Sequence, residues 1–224
     1  MSLAELAGLL ADPTRATICL ALLDGRAWTG IELARLAKVA PSTASEHLTR
    51  LIAGGVLAEE RQGRHRYVRL AGPEIATLLE DLSSFSSTPR PPRSLRESNQ
   101  HRAEARARTC YDHLAGHLGV AVADAMVRDG LVTDDTGLTV TASGVAWLER
   151  LGIALAPGRG RRPVVKACLD WTERRTHLAG QVGAALCGTA MDRRWVERIG
   201  AGRALRVTPA GRDAFREHLG IDAP

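Results

Sequence analysis

Long apolar runs are missing from this 224-residue chain. No stretch approaches the roughly 20 consecutive apolar residues that a spanning helix needs, so no membrane partner is expected. The opening MSLAELAGLLADPTR carries Glu5 and Asp12 and has no basic leader, which argues against a secretory signal and for a cytoplasmic protein. Cysteine is sparse: Cys19, Cys110, Cys168 and Cys187 stand far apart. In a reducing compartment such residues are free thiols or ligands rather than a disulfide frame. Lysine is nearly absent, 2 residues against 28 arginines, a bias attributable to a GC-rich genome and empty of chemistry. There is also no G-x-S-x-G, no P-loop, no G-x-G-x-x-G and no H-E-x-x-H, so an enzyme is not expected.

What is present suits a globular protein of one or two domains, with 45% hydrophobic and 25% charged residues. The net charge of +5 favours polyanionic partners. It is unevenly spread: residues 1–87 hold 9 basic and 10 acidic groups, residues 88–108 hold 6 and 2, and residues 109–224 hold 15 and 13. Residues 3–24 read as a helix pair, with Asp12 capping the second helix, Pro13 at its first position, and Leu20, Leu22 and Leu23 in the core.

The strongest signal lies in IELARLAKVAPSTASEHLTRLIAGGVLAEERQGRHRYVRL, residues 31–70. A short helix with Ile31, Leu33 and Leu36 as its apolar side leads to a turn at Lys38–Ala40. A second helix follows, from Pro41 to about Ala53, with Ala44, Leu48, Leu51 and Ile52 as its buried stripe. Next comes a hairpin of strands Val56–Arg61 and Arg64–Leu70 with Gly63 at its tip, and then a helix over 74–82. A helix fits the major groove and a basic hairpin reaches the neighbouring backbone. Ser42, Thr43, Ser45, Glu46, His47 and Arg50 on the helix, with Arg64, His65 and Arg66 on the wing, are the candidate DNA contacts. His47 has an alternative role in packing or capping.

Ser42-Thr-Ala-Ser45-Glu-His47-Leu48, Gly55-Val-Leu57 and Arg64-His-Arg66-Tyr67 together resemble the ArsR/SmtB family of winged-helix repressors, over roughly residues 3–87. The resemblance implies a homodimer, paired through residues 3–11 and 74–86, that represses a promoter and releases it when an inducer binds. The chain also resembles a longer branch of that family with a C-terminal extension. The family's thiols ahead of the recognition helix have no counterpart in Glu32-Leu-Ala-Arg-Leu-Ala, and the last helix of the domain lacks histidine. Sensing, if present, must use other residues.

SSFSSTPRPPRS, residues 83–94, reads as a linker. The expected division is a DNA-binding and dimerisation domain over 1–87, a linker or connecting helix over 88–108, and a duplicated domain over 109–224. His-Leu-Ala-Gly recurs at 113 and 177, and Leu-x-Val-Thr at 138 and 205, offsets of 64 and 67. Each copy is expected to run helix, helix, short strand, then a helix capped by Thr141 or Thr208, and the copies to share one core about a pseudo-twofold axis. The expected fold class is mainly α (α+β): a winged helix-turn-helix plus an α-rich domain of two winged-helix-like repeats.

On a helix, Cys110, His113 and His117 would share one face at i, i+3 and i+7. Cys168, Asp170 and His177 are the corresponding set of the second copy. Such a set suits a zinc, copper(I) or trivalent metalloid effector, although a plain core of buried thiols and packed histidines is the first reading, and a small-molecule (organic) ligand or thiol oxidation is a further alternative. No cofactor is required for DNA binding. Trp147, Trp171 and Trp195 read as core, and Arg159, Arg161 and Arg162 as a solvated turn. The alternative function is a metal-trafficking or thiol-dependent enzyme with an appended helix-turn-helix, which needs Cys110 or Cys168 to be accessible.

Overall fold

A computed structural model describes residues 1–63, 65–86, 94–135, 137–155, 162–200 and 202–224. Arg64, Arg159, Arg161 and most of the expected linker lie outside them. The chain forms two compact units, Met1–Leu82 and Ser83–Pro224. No single helix among the described residues is long and apolar enough to cross a membrane.

In the first unit, α1 (Leu3–Leu10) is closed by a capping box between Ser2 and Glu5. Helix α2 (Pro13–Ala21) is capped as expected: the Asp12 carboxylate accepts from the Arg15 amide at 2.9 Å, with Pro13 at the first position. A single 3-10 turn (Leu22–Asp24) buries Leu22 and Leu23, whereas Leu20 turns to the surface. Strand β1 (Trp28–Thr29), not foreseen in the sequence, leads into α3 (Gly30–Ala37), which buries Leu33 and Ala34. Ile31 and Leu36 are exposed rather than buried, because 100° per residue puts Ile31 on the side away from Leu33. Lys38, in the left-handed region at φ 57°, turns the chain into α4 (Pro41–Ala53). Ala44, Leu48 and Leu51 anchor α4 to the core, and Ile52 is half-buried.

The wing is β2 (Leu57–Gln62) and β3 (His65–Leu70), antiparallel with Gln62 opposite His65, so the tip is two residues wide. Gly63 there has φ +58°, which favours glycine. Strand β1 extends the sheet on the other edge of β3, giving the order β1-β3-β2. Helix α5 (Pro73–Ser86) is longer than the expected 74–82, so residues 83–86 are helix rather than linker.

The second unit begins with α6 (Leu95–Arg106) and then repeats one element order twice. The first copy is β4 (Arg108–Cys110), β5 (His113–Ala115), α7 (Gly116–Arg128), β6 (Val132–Thr133), β7 (Thr139–Val140) and α8 (Ala142–Arg150). The second is β8 (Lys166–Leu169), β9 (Thr176–Ala179), α9 (Gly180–Asp192), β10 (Val196–Arg198), β11 (Leu205–Val207) and α10 (Pro209–Leu219). Each copy is thus hairpin, helix, hairpin, helix. The expected opening helix of each copy is a β-hairpin instead. In the first copy Tyr111, at φ 55°, sits in a two-residue turn, and a helix cannot run back through Gly116 at φ +72°. Thr141 and Thr208 do cap α8 and α10, accepting from the Gly144 and Gly211 amides at 3.0 and 2.9 Å.

The copies bury one common core, in which Leu118, Val122 and Met126 of α7 meet Val182, Leu186 and Ala190 of α9. Packing is reciprocal: α7 lies on β9 of the other copy and α9 on β5. Gly119 and Gly183 are required chiefly within their own copies, where a Cβ would clash with the Leu114 or Leu178 carbonyl oxygen; the Cβ atoms of His177 and His113 of the other copy lie just beyond, at 3.6 and 3.1 Å.

Candidate functional site

Two sites stand out, one in each unit. In the first, Ser42, Ser45, Glu46, Thr49 and Arg50 form an exposed polar face on α4, with Thr43 half-buried at its edge. His47 departs from that face. Its side chain is half-buried, with Nδ1 3.7 Å from the Asp12 carboxylate. It sits against the α2 cap, which is the packing role considered for it.

The wing is less free than the clustering of arginines implied. Glu59 on β2 accepts from Arg61 Nε, two residues on in the same strand, at 2.8 Å and from Arg66 Nε, diagonally across the strand pair, at 2.8 Å. These bonds hold the Glu59 carboxyl below the usual carboxylate range. Arg69 faces Glu60 at 3.7 Å. The wing therefore carries its positive charge partly masked. Removing the mask by Glu59→Gln should strengthen binding to any duplex at low salt and steepen the salt dependence, read by fluorescence anisotropy over a salt series.

In the second unit the structure brings together two cysteines that the sequence places 58 residues apart and two histidines that it places 64 apart. Cys110 and His113 are opposite each other across the β4–β5 turn. Cys168 and His177 are opposite each other across β8–β9. The two hairpins meet so that Cys110 Sγ is 3.8 Å from Cys168 Sγ and His113 Nε2 is 3.1 Å from His177 Nε2. All four ligand atoms lie within 4.8 Å of one another, and all four residues are buried. His117 is not among them. It starts α7 with a side chain 60% exposed, 3.8 Å from Glu173. The i, i+3, i+7 helical face is therefore incorrect: Cys110 and His113 neighbour each other through a hairpin, and His117 points elsewhere.

Asp170 does not point its carboxylate into the four-residue cluster either; it stands behind it. Its Oδ2 is 3.5 Å from His177 Nδ1, 2.9 Å from the Arg108 guanidinium and 2.6 Å from the Gly116 amide. Its Oδ1 accepts from the Thr172 and Glu173 amides at 2.9 and 3.1 Å. Burial raises this carboxyl, but Arg108 and those donors outweigh it and hold it well below the usual range. Asp112 stands behind the other imidazole, with Oδ1 3.3 Å from His113 Nδ1. Arg162 grips Asp112 at 2.7 and 3.0 Å and also donates to the Gly180 carbonyl. Arg162 is accordingly a structural clamp and not the solvated turn expected. Burial lowers His113, yet its bonds to Asp112 and Cys168 win and leave it raised. The Cys168 thiol is driven far down, first by the Cys110 thiol donating to it, then by both histidines.

Sequence reasoning gave Arg108 and Arg162 no role here and weighed Asp112 only as part of a thiol-catalysis site around Cys110 or Cys168. The signal for Asp112 and Asp170 was present: each stands two residues after its cysteine, as Cys-x-Asp ahead of His-Leu-Ala-Gly. Cys19 and Cys187 belong to neither site, and burial pushes both thiols up to about 12. Both should resist alkylation by a mild maleimide in the native protein at neutral pH. Mass spectrometry after a timed quench would show it, and rapid labelling of either would contradict their burial.

An exposed polar helix seated on an apolar anchor, flanked by a β-wing, defines a winged-helix DNA-binding protein. The comparisons agree. A family model described as a helix-turn-helix domain matches residues 10–60. The chain is 40% identical over 222 residues to the uncharacterized HTH-type transcriptional regulator YdfF of Bacillus subtilis (strain 168), covering 98% of each. It is 38% identical over 81 residues to the HTH-type transcriptional regulator CmtR of Mycobacterium tuberculosis, 36% of this chain and 68% of that one. A homodimeric winged helix-turn-helix DNA-binding domain from Mycobacterium bovis, described as a possible ArsR-family regulator, matches with 28% identity, covering 37% of this chain and 76% of that chain at TM-score 0.35. The chain belongs to the HTH-type transcriptional regulators, and the ArsR/SmtB resemblance of residues 31–70 fits that family.

Proposed function

We propose that this DNA-binding regulator is a homodimeric repressor in the cytoplasm, acting without enzymatic chemistry. It would hold a pseudo-palindromic double-stranded operator through two copies of α4 and the wing and release it when an effector occupies the second unit. The observation that carries the reading is the exposed face Ser42, Ser45, Glu46, Thr49 and Arg50 on a helix whose opposite face is anchored by Ala44, Leu48 and Leu51. Hydroxyls on such a face bond to base edges or phosphates, Glu46 accepts from a cytosine amino group, and Arg50 reaches phosphate. The thiol-enzyme alternative loses its premise, since Cys110 and Cys168 are both buried.

Dimerisation is supported by α1. Of its eight residues, LAELAGLL, none is buried, and Leu3 is 83% exposed. An apolar helix left this open in one chain suits pairing with a second copy, together with α5, where Leu82 is 48% exposed. Two recognition helices would then read half-sites about one turn, ~34 Å, apart.

The test is binding of the full-length protein to its own promoter fragment over a salt series. Arg64→Ala with Arg66→Ala should weaken binding to every sequence and lower the slope of log K against log salt by about 0.9 for each phosphate that is no longer neutralised. An unchanged slope would remove the wing from the interface. Failure of the unmodified protein to bind its promoter at low ionic strength would end the operator reading.

A further inference from the structure

We propose that Cys110, His113, Cys168 and His177 form a closed tetrahedral site for a divalent metal ion of zinc type, which staples the two repeats of the second unit together. The inference goes beyond the DNA-binding reading and would stand even if no operator were found.

The sulfur–sulfur and nitrogen–nitrogen separations match such an ion. In a tetrahedron with Zn–S near 2.3 Å and Zn–N near 2.0–2.1 Å, sulfur atoms sit about 3.8 Å apart and nitrogens about 3.3 Å apart. The observed separations are 3.8 Å for the two Sγ atoms and 3.1 Å for the two Nε2 atoms. His113 Nδ1 is hydrogen-bonded to the Asp112 carboxylate at 3.3 Å, and His177 Nδ1 points toward Asp170 at 3.5 Å, so a carboxylate stands behind each ring. The two Nε2 atoms face each other at hydrogen-bond distance in a buried space, a contact that a cation between them would replace with two metal–nitrogen bonds. The carboxylates are themselves held, Asp112 by Arg162 and Asp170 by Arg108, so the ring orientations are set before any ion arrives.

The donor set also selects the ion. Two thiols lose their protons to solvent, and two thiolates with two neutral imidazoles neutralise a doubly charged cation. A buried site of zero net charge avoids the cost of an uncompensated ion. Copper(I) would leave one negative charge, and a trivalent metalloid would lack a third thiolate. Four protein ligands leave no open position, so the ion serves structure or regulation rather than turnover. One cysteine and one histidine come from each hairpin, so the ion bridges the copies.

The experiment is a titration of reduced, chelator-stripped full-length protein with Co2+, followed by displacement with Zn2+. The expected result is one Co2+ per chain, with thiolate-to-cobalt charge-transfer absorption and the intense visible bands of tetrahedral cobalt, all bleached by one equivalent of Zn2+. Asp112→Asn should weaken Zn2+ binding by roughly 10- to 100-fold, as loss of an orienting partner does. His117→Ala should leave both spectrum and stoichiometry unchanged. Cys110→Ser with Cys168→Ser should abolish the charge-transfer band, and if that variant does not fold, the unmodified protein still decides. The proposal is overturned if the unmodified protein shows no cobalt spectrum, or visible bands without charge transfer. An intact mass short by two hydrogens in the reduced preparation, marking a Cys110–Cys168 disulfide, would also overturn it. Promoter binding is measured separately on the same sample, so loss of the operator reading and loss of the metal site are told apart.

Discussion

Replacing Arg108 by Met should cost the second unit about 3–5 kcal/mol, because it strands the Asp170 carboxylate in the interior. Arg108 and Asp170 are both fully buried and pair at 2.9 Å. Arg108 also donates to the Glu104 carbonyl at 3.2 Å and to the Thr172 hydroxyl at 3.1 Å, and its guanidinium lies 4.8 Å from the Trp171 ring centre. One side chain thus joins the end of α6, the β8–β9 turn and, through Asp170, the His177 ring. The pair need not be stabilising against an apolar replacement of both partners, so the large penalty belongs to breaking it singly. Arg108→Met with Asp170→Asn should accordingly recover part of the loss. Denaturant unfolding followed by tryptophan fluorescence would measure both, since Trp147, Trp171 and Trp195 are in this unit and only Trp28 is in the other. A loss under about 1 kcal/mol for the single variant would show that Asp170 is adequately held by its amide donors alone.

Gly116→Ala should cost about 2–4 kcal/mol, from left-handed strain and overpacking together. Gly116 has φ +72°, and a Cβ there would lie 2.8 Å from both the Glu104 and the Ala105 carbonyl oxygens. Those are backbone atoms of α6, so no side chain can swing away. Gly180, at φ +81° with a Cβ 2.8 Å from the Pro163 oxygen, makes the same prediction for the second copy. In both cases the glycine is the last residue of His-Leu-Ala-Gly, where the strand ends and the next helix begins. The same unfolding experiment checks it; a loss within about 0.5 kcal/mol, the range of ordinary surface changes, would mean that the hairpin-to-helix corner relaxes freely.

The winged helix was legible because its signals are local. Pro13, Pro41, Asp12 and Gly63 each act within a few residues, and the apolar spacing of Ala44, Leu48 and Leu51 names the buried face of α4 without further information. Strand β1 was not legible, since Trp28–Thr29 is strand only because β3 lies beside it. The opening of each repeat was misread for a definite reason. A separation of three residues makes Cys110 and His113 neighbours on a helix and equally across a two-residue hairpin turn. His117 joined the set only on the helical choice, and it leaves with it.

By itself the sequence determined the DNA-binding module, the helix caps and the fact of two copies, because each of these is encoded in short-range spacing. Tertiary structure alone decided that the two thiols and two imidazoles converge, that Asp112 and Asp170 stand behind them, and that Arg108 and Arg162 hold those carboxylates. The pairs Cys110–Cys168, His113–His177, Arg108–Asp170 and Asp112–Arg162 lie 50 to 64 residues apart. Their meeting depends on how two hairpins pack against each other, which no periodicity within either copy records.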